Sequence, residues 1–343
     1  MKMSKKQTET NVTERLATID MMVGLAMTFV VLGHLSLGDE PQWYAGGLHC
    51  WIYTFHMELF VFLSAFLIRH TYRGVRSLLE YGKYIWRKTK KFVPAFLIVG
   101  LAAALLAAAW HKEPVNATSL LQSMRTLLLY PRQSEASFLW YIYILLGFYL
   151  VSPLFFRLPQ WVRVLCCVGA MFLAMTDAGP LCCAYEFSRY TFFYCLGVLC
   201  AEWIVEIRTV KTWAWGLMSV PFVVYSAWLF TDGYRLGVRP DTLGWWTLVT
   251  GVAALPFFYL LAKALARISP LRAALTSISM HCYSIYLLQM FVIWGCDWVT
   301  RRLGIREAMP FGLFAITTAL LALIVPIAVE EGTKAVIAKA KRK

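Results

Sequence analysis

The chain reads as an all-α polytopic integral membrane protein of about ten transmembrane helices, with both ends cytoplasmic. Three observations lead there. Of its 343 residues, 59% are hydrophobic and 15% charged, with a mean hydropathy of +0.60; a soluble domain runs at roughly 45–50% apolar and about 25% charged. Apolar stretches of about 20 residues, the length that crosses a hydrocarbon core as a helix, recur to the end of the chain. The basic residues then fall unevenly between alternate connections.

The predicted spans are 19–37, 49–68, 92–110, 138–156, 162–178, 190–206, 212–230, 244–262, 274–298 and 310–329. They divide the chain into a cytoplasmic segment (1–18), one transmembrane domain (19–330) and a basic cytoplasmic tail (331–343). The first span lacks a small-residue cleavage site and is long enough to cross, so it reads as a retained helix and not a signal peptide. With the N-terminus cytoplasmic, the inner segments hold 24 of the 33 Lys and Arg, the excess that the positive-inside rule asks for. The net charge of +14 is thereby accounted for by topology, and no nucleic-acid partner is needed. Trp43, Trp110, Trp140, Trp161, Trp213 and Trp245 near span ends fit interfacial aromatic belts. The nine cysteines include the adjacent pairs Cys166-Cys167 and Cys182-Cys183 but no C-x-x-C spacing, so no metal site is expected. Most lie within spans, where a free thiol is a small apolar residue.

Against this background ionisable residues inside apolar runs stand out, because hydrocarbon penalises them by a few kcal/mol each. His34 lies in the run Ile19–Leu37, and His56 and Glu58 open the next one. At about 1.5 Å per residue His34 sits about 22 Å beyond Ile19, near the outer end of its helix. His56 lies about 8 Å down the returning helix, at comparable depth. Glu58 is turned by roughly 200° from His56, so one of the two faces His34, not both. A hydrogen-bonded helix–helix contact is the bland alternative for each. Ser64, two turns below His56, is a candidate lining residue. The connection 69–91 carries eight basic residues and ends in Arg87-Lys88-Thr89-Lys90-Lys91. That cluster reads as a topology anchor at the membrane surface or as a dock for cofactor phosphates.

At these residues the chain resembles the membrane-bound acyltransferase family 3, bacterial O-acyltransferases of surface polysaccharides. Ile19-Asp20-Met21-Met22-Val23-Gly24 through Val31-Leu32-Gly33-His34 is similar to the family's opening motif, and Phe55-His56-Met57-Glu58-Leu59-Phe60 through Leu67 to its second. Weaker likenesses follow in order at Arg87–Pro94, Leu139-Trp140-Tyr141, Phe193–Gly197 and Tyr283–Gln289. The chain departs from the pattern at Val23, where the family has Arg or Lys, at Glu58 for proline, Ala65 for glycine and Gln289 for histidine.

The resemblance implies a bacterial inner-membrane enzyme moving an acyl group, acetyl above others, from cytosolic acetyl-CoA or another acyl-CoA to a hydroxyl of a cell-envelope carbohydrate. It implies His34 as base or acyl carrier, and His56 or Glu58 orienting it. Arg87, Lys88, Lys90 and Lys91 are then expected to hold the cofactor phosphates, with Ser64 and Gln289 lining the substrate path. No metal enters this reading. Two rivals stand beside it: a catalytically degenerate family member acting as an assembly or binding subunit, and a saccharide transporter or exporter with His34, His56 and Glu58 as a proton relay.

Overall fold

The computed structural model describes residues 5–38, 40–112, 114–203, 209–233 and 245–340, with side chains from Ala17 onward, and is helical with no strand among them. Backbone polar groups have no water partners in hydrocarbon, so helices that pair every N–H within the segment are the expected solution. Among the described residues seven helices are long and apolar enough to cross a membrane, and two further apolar helices are shorter, Ala17–Gly33 and Gln160–Leu173. The end of the sixth expected span and the first residue of the eighth, 244, lie outside the described residues.

The chain forms two compact units, Met1–Leu63 with Thr209–Lys343, and Ser64–Arg208. The first unit is built around α1 (Lys5–Gly33). After α1 come a π-helical turn (Trp43–His49), the short α2 (Cys50–Ile52) and the first half of α3 (His56–His70). The chain returns to this unit with α9 (Thr212–Trp228), α10 (Trp245–Leu265), α11 (Ser269–Met280), α12 (Cys282–Arg302) and α13 (Phe311–Ala340). Helix α1 packs on α10, α11, α12 and α13, while α9 pairs with α10 and α12 with α13. Close approach is bought at Gly24, where a methyl group would run into the carbonyl of Leu275 on α11; small residues at such crossings let membrane helices gain packing energy.

The second unit holds α4 (Leu78–His111), α5 (Ala117–Leu129), α6 (Trp140–Phe155), α7 (Gln160–Leu173) and α8 (Ala184–Glu202). Helix α4 begins well before the expected span 92–110, so the basic run 87–91 lies on a helix and not in a connecting loop. Its start is set by Ser77, whose hydroxyl accepts from the Glu80 N–H, as an N-cap does. Similarly, Asn116 and Ser119 form a reciprocal capping box that starts α5 in the long connection 111–137. At one end of this unit Glu202 accepts from Arg69 at 2.7 Å and from Arg163 at 2.9 Å, joining the ends of α3, α7 and α8. At the opposite end of α6 and α8, Trp140 stacks on Tyr190.

Candidate active site

The second expected span is interrupted where its chemistry begins. Helix α2 ends at Ile52, Tyr53–Phe55 form a turn, and His56 opens α3. Phe55 anchors the break: its ring, fully buried, meets Phe29, Trp51, Phe222 and Phe258 at 4.5–5.5 Å. Trp51 is fixed in turn by its indole N–H, which donates to Ser226 Oγ at 2.8 Å. The break leaves the Ile52 carbonyl to accept from the His56 side chain, Nδ1 to oxygen 2.8 Å. A carbonyl only accepts, so Nδ1 carries the proton and a neutral His56 keeps its lone pair on Nε2. His56 is buried, 4% exposed.

Tyr53, in the turn, lies between two imidazoles. Its ring centroid is 4.6 Å from that of His56 and 4.2 Å from that of His49. Gly33, the last residue of α1, faces the same ring; a methyl there would stand 3.2 Å from Tyr53 Cε2. His34 follows directly in the turn that ends α1, half-buried, with its backbone N–H shared between the Val30 and Val31 carbonyls. Tyr44 holds that end of α1 from the π-helical turn, its hydroxyl donating to the Leu32 carbonyl. Tyr53 thus links the end of α1 to the start of α3, and His34 and His56 belong to one compact unit. Sequence reasoning passed over His49 and Tyr53 because they stand at the edge of an apolar run, where a polar tip needs no explanation.

Just beyond this turn, Glu40 gathers Ser36 Oγ and the backbone N–H groups of Leu37 and Gly38. Partial burial works against its ionised form, but these donors outweigh it and hold the carboxyl below its usual range.

The remaining expected residues are distributed as follows. Glu58 is buried in the first turn of α3, where the helix N-terminus favours a carboxylate. Ser64 is engaged in the second unit, its hydroxyl 2.5 Å from that of Tyr141 on α6, the interhelical hydrogen bond of the bland alternative. Gln289 on α12 is fully buried, and neither its amide nitrogen nor its amide oxygen has a partner. A buried amide without partners costs about 1–3 kcal/mol per unmet group, which sets Gln289 apart among the buried residues of α12.

On α4 the basic residues divide. Arg87 and Lys90 are exposed. Lys88 instead lies over the Tyr149 ring, 4.7 Å from its centroid, and near Tyr84 at 6.0 Å. Arg87, Lys90 and Lys91 fall within a sector of about 100° on the helix, with Lys88 about 60° outside it.

The candidate metal ligands among the described residues are His281, Glu330 and Glu331, whose donor atoms lie within 4.8 Å of one another. There the Lys334 ammonium already stands 2.7 Å from Glu330 and 2.8 Å from Glu331. His281 Nδ1 donates to the Ser277 carbonyl and Nε2 meets Glu331 at 3.0 Å, tying the α11–α12 hinge to α13. The hydrogen bonds to Glu331 and to the Ser277 carbonyl raise the His281 pKa above its ordinary 6.5.

The first unit thus carries two imidazoles, His49 and His56, on the ring of Tyr53. Residues 16–330 match the family described as an acyltransferase domain, acyltransferase family 3. The chain belongs to that family, whose class is the transferases of acyl groups other than aminoacyl. It is similar to the nodulation protein NolL of Sinorhizobium fredii (strain NBRC 101917 / NGR234), 27% identical over 218 residues, which is 62% of this chain. The matched part is 54% of that relative's length, so the chain spans about half of it. No solved structure matches.

Proposed function

We propose that the protein is an O-acyltransferase of a bacterial cytoplasmic membrane, moving an acyl group, acetyl first among candidates, from cytosolic acyl-CoA to a hydroxyl of an envelope carbohydrate. The observation that carries this reading is the Tyr53 junction, its ring against Gly33, the residue before His34, and 4.6 Å from the His56 ring, in a chain of the acyltransferase family. The distribution of basic residues supports an orientation with both ends in the cytoplasm.

The step balances as a transesterification. The acceptor O–H loses its proton to the imidazole of His34, its oxygen attacks the thioester carbonyl, and an ester C–O bond replaces the C–S bond. The proton then passes to the departing CoA thiolate. General-base assistance of this kind contributes typically 10²–10⁴-fold. His56, whose Nδ1 is held by the Ile52 carbonyl, orients His34, with Glu58 as the other candidate for that role. The unmet amide of Gln289 offers an N–H to the oxygen on which charge develops, and Ser64 lines the path beside Tyr141. Arg87, Lys90 and Lys91 suit the phosphates of CoA, and Lys88 borders them from its place on Tyr149.

The reading is tested by transfer of radiolabelled acetyl from acetyl-CoA to envelope glycans in membranes carrying wild-type protein or His34→Ala. Label that depends on His34 is the expected result. No label from any acyl-CoA, with the protein correctly inserted, would favour the degenerate assembly subunit, the reading that Val23 in place of a basic residue supports. Glycan movement without any acyl donor would favour the exporter.

A further inference from the structure

In the second unit a carboxylate that has no part in the site described above is left half-satisfied. Glu186 stands in the first turn of α8 and is 7% exposed. Its Oε1 lies 3.2 Å from Nε of Arg132, a residue of the short 3₁₀ turn Pro131–Gln133. Its Oε2 is buried and has no partner. An ionised oxygen left this way costs more than a neutral orphan would, because charged groups lose the most on desolvation.

The surroundings say what would complete it. The Arg132 side chain is half exposed, so its fork reaches the surface beside the carboxylate, and its guanidinium lies 5.5 Å from the centre of the Trp140 ring. Trp140 stacks on Tyr190 at 5.3 Å, and Arg189 lies 5.9 Å from the centre of that ring while donating to the Tyr185 hydroxyl. The pair therefore offers a fixed acceptor next to fixed donors, carried on a buried aromatic stack. A phosphate or carboxylate ligand would meet Glu186 as a like charge. A cation would meet Arg132. A neutral polyol satisfies both, since each hydroxyl donates and accepts. The backbone reaches this arrangement through Cys182 and Cys183, two consecutive non-glycine residues with φ of 52° and 56°. Each such residue costs of order 1 kcal/mol or more. That reversal brings the start of α8, and with it Glu186, to Arg132.

We propose that Glu186 and Arg132 form a binding subsite for a neutral saccharide, Glu186 Oε2 accepting a sugar hydroxyl and the Arg132 guanidinium donating to a neighbouring oxygen. The proposal rests on the reading above, in which the acceptor is a carbohydrate. On the topology proposed there, this end of α6 and α8 faces outward, opposite to the Glu202 end.

The test uses the full-length protein in detergent, wild type and Glu186→Gln, with Arg132→Gln as second variant. The probe is the tritiated oligosaccharide fraction released by mild acid from the envelope of the source cells. Equilibrium dialysis measures binding, and acetyl transfer to the same fraction measures half-saturation by glycan and by acetyl-CoA. Both variants should weaken glycan binding at least tenfold and raise the glycan half-saturation equally, with the acetyl-CoA value unchanged. Gel filtration and melting temperature identify a variant that has not folded, and the other then decides. Unchanged glycan binding in a folded variant overturns the subsite, as does the absence of glycan binding by the wild type. Binding that depends on Glu186 in a protein that transfers no acyl group would leave the subsite standing and overturn the transferase reading instead.

Discussion

The Nδ1 of His56 donates to the carbonyl of Ile52 at 2.8 Å across the break between α2 and α3. That hydrogen bond fixes which ring nitrogen is basic. The same carbonyl also accepts from the Phe55 N–H at 3.2 Å, so its backbone role does not depend on His56. The hydrogen bond and the basic nitrogen separate by substitution. His56→Asn keeps an N–H near the Nδ1 position and loses Nε2, whereas His56→Ala loses both. Asn at this site should preserve the melting temperature to within a few degrees while lowering acyl transfer by 10²-fold or more. Ala should lose stability as well, by about 0.5–1.5 kcal/mol for the one hydrogen bond removed, since the carbonyl keeps the Phe55 N–H. Equal transfer by His56→Asn and wild type would remove Nε2 from the chemistry.

Tyr53 gives a second, independent lever on the same geometry. Its ring fills the space between His49 and His56 and bears on Gly33. Tyr53→Phe keeps that ring and should retain transfer within a few-fold. Tyr53→Ala opens a gap that lets both imidazoles and the end of α1 shift, and a displacement of about 1 Å at a reacting centre costs on the order of 10²-fold. The comparison of kcat between the two variants decides whether the ring positions the site.

Much of this was legible in the sequence, for definite reasons. Helices follow from apolar runs of membrane length, and His34, His56 and Glu58 draw notice because charge is costly in such runs. The break at Tyr53–Phe55 was not legible. No glycine or proline marks it; the packing of Phe55 among Phe29, Trp51, Phe222 and Phe258 imposes it. The basic run 87–91 read as a connection because its charges hide the helical pattern, although Ser77 supplies the cap that starts α4 upstream. Nor does any local signal pair Arg132 with Glu186. That pair depends on a chain reversal at two cysteines, residue types that carry no turn preference.

Gly24 sets how closely α1 approaches α11. Its missing Cβ is occupied in space by the Leu275 carbonyl, an atom of backbone that cannot swing away. Gly24→Ala should therefore force the helices apart and cost about 1–3 kcal/mol, the range for overpacking. Gly312, with nothing within 4 Å of its position, is the control. Gly312→Ala should leave the melting temperature in detergent unchanged, and Gly24→Ala should lower it by several degrees.

The His281–Glu331 pair makes the α11–α12 hinge sensitive to pH. Its raised pKa means that the folded state holds the proton more tightly than the unfolded chain does. The pair's contribution is fully present below about pH 6.5, the ordinary histidine value, and is lost as pH rises through the higher folded value. The difference in melting temperature between wild type and His281→Gln should thus shrink from pH 6 to pH 8. A difference that grows across that window would reverse the assignment.

The basic face of α4 makes a prediction about the donor alone. Arg87 and Lys90 are exposed and lie on one sector of the helix, while Lys88 rests on Tyr149. Charge-assisted bonds to phosphate are worth about 1.5–3 kcal/mol each, or roughly 10- to 100-fold in affinity. Arg87→Gln with Lys90→Gln should raise the KM for acetyl-CoA by at least tenfold. The same double variant should leave transfer from acetyl-pantetheine, which has no phosphate, unchanged. Lys88→Gln should raise the KM less, because its ammonium is already engaged by an aromatic ring, and should cost stability through the lost cation–π contact of about 0.5–2 kcal/mol. A rise in KM for both donors alike would mean that the run anchors the membrane surface and leaves the cofactor to other residues.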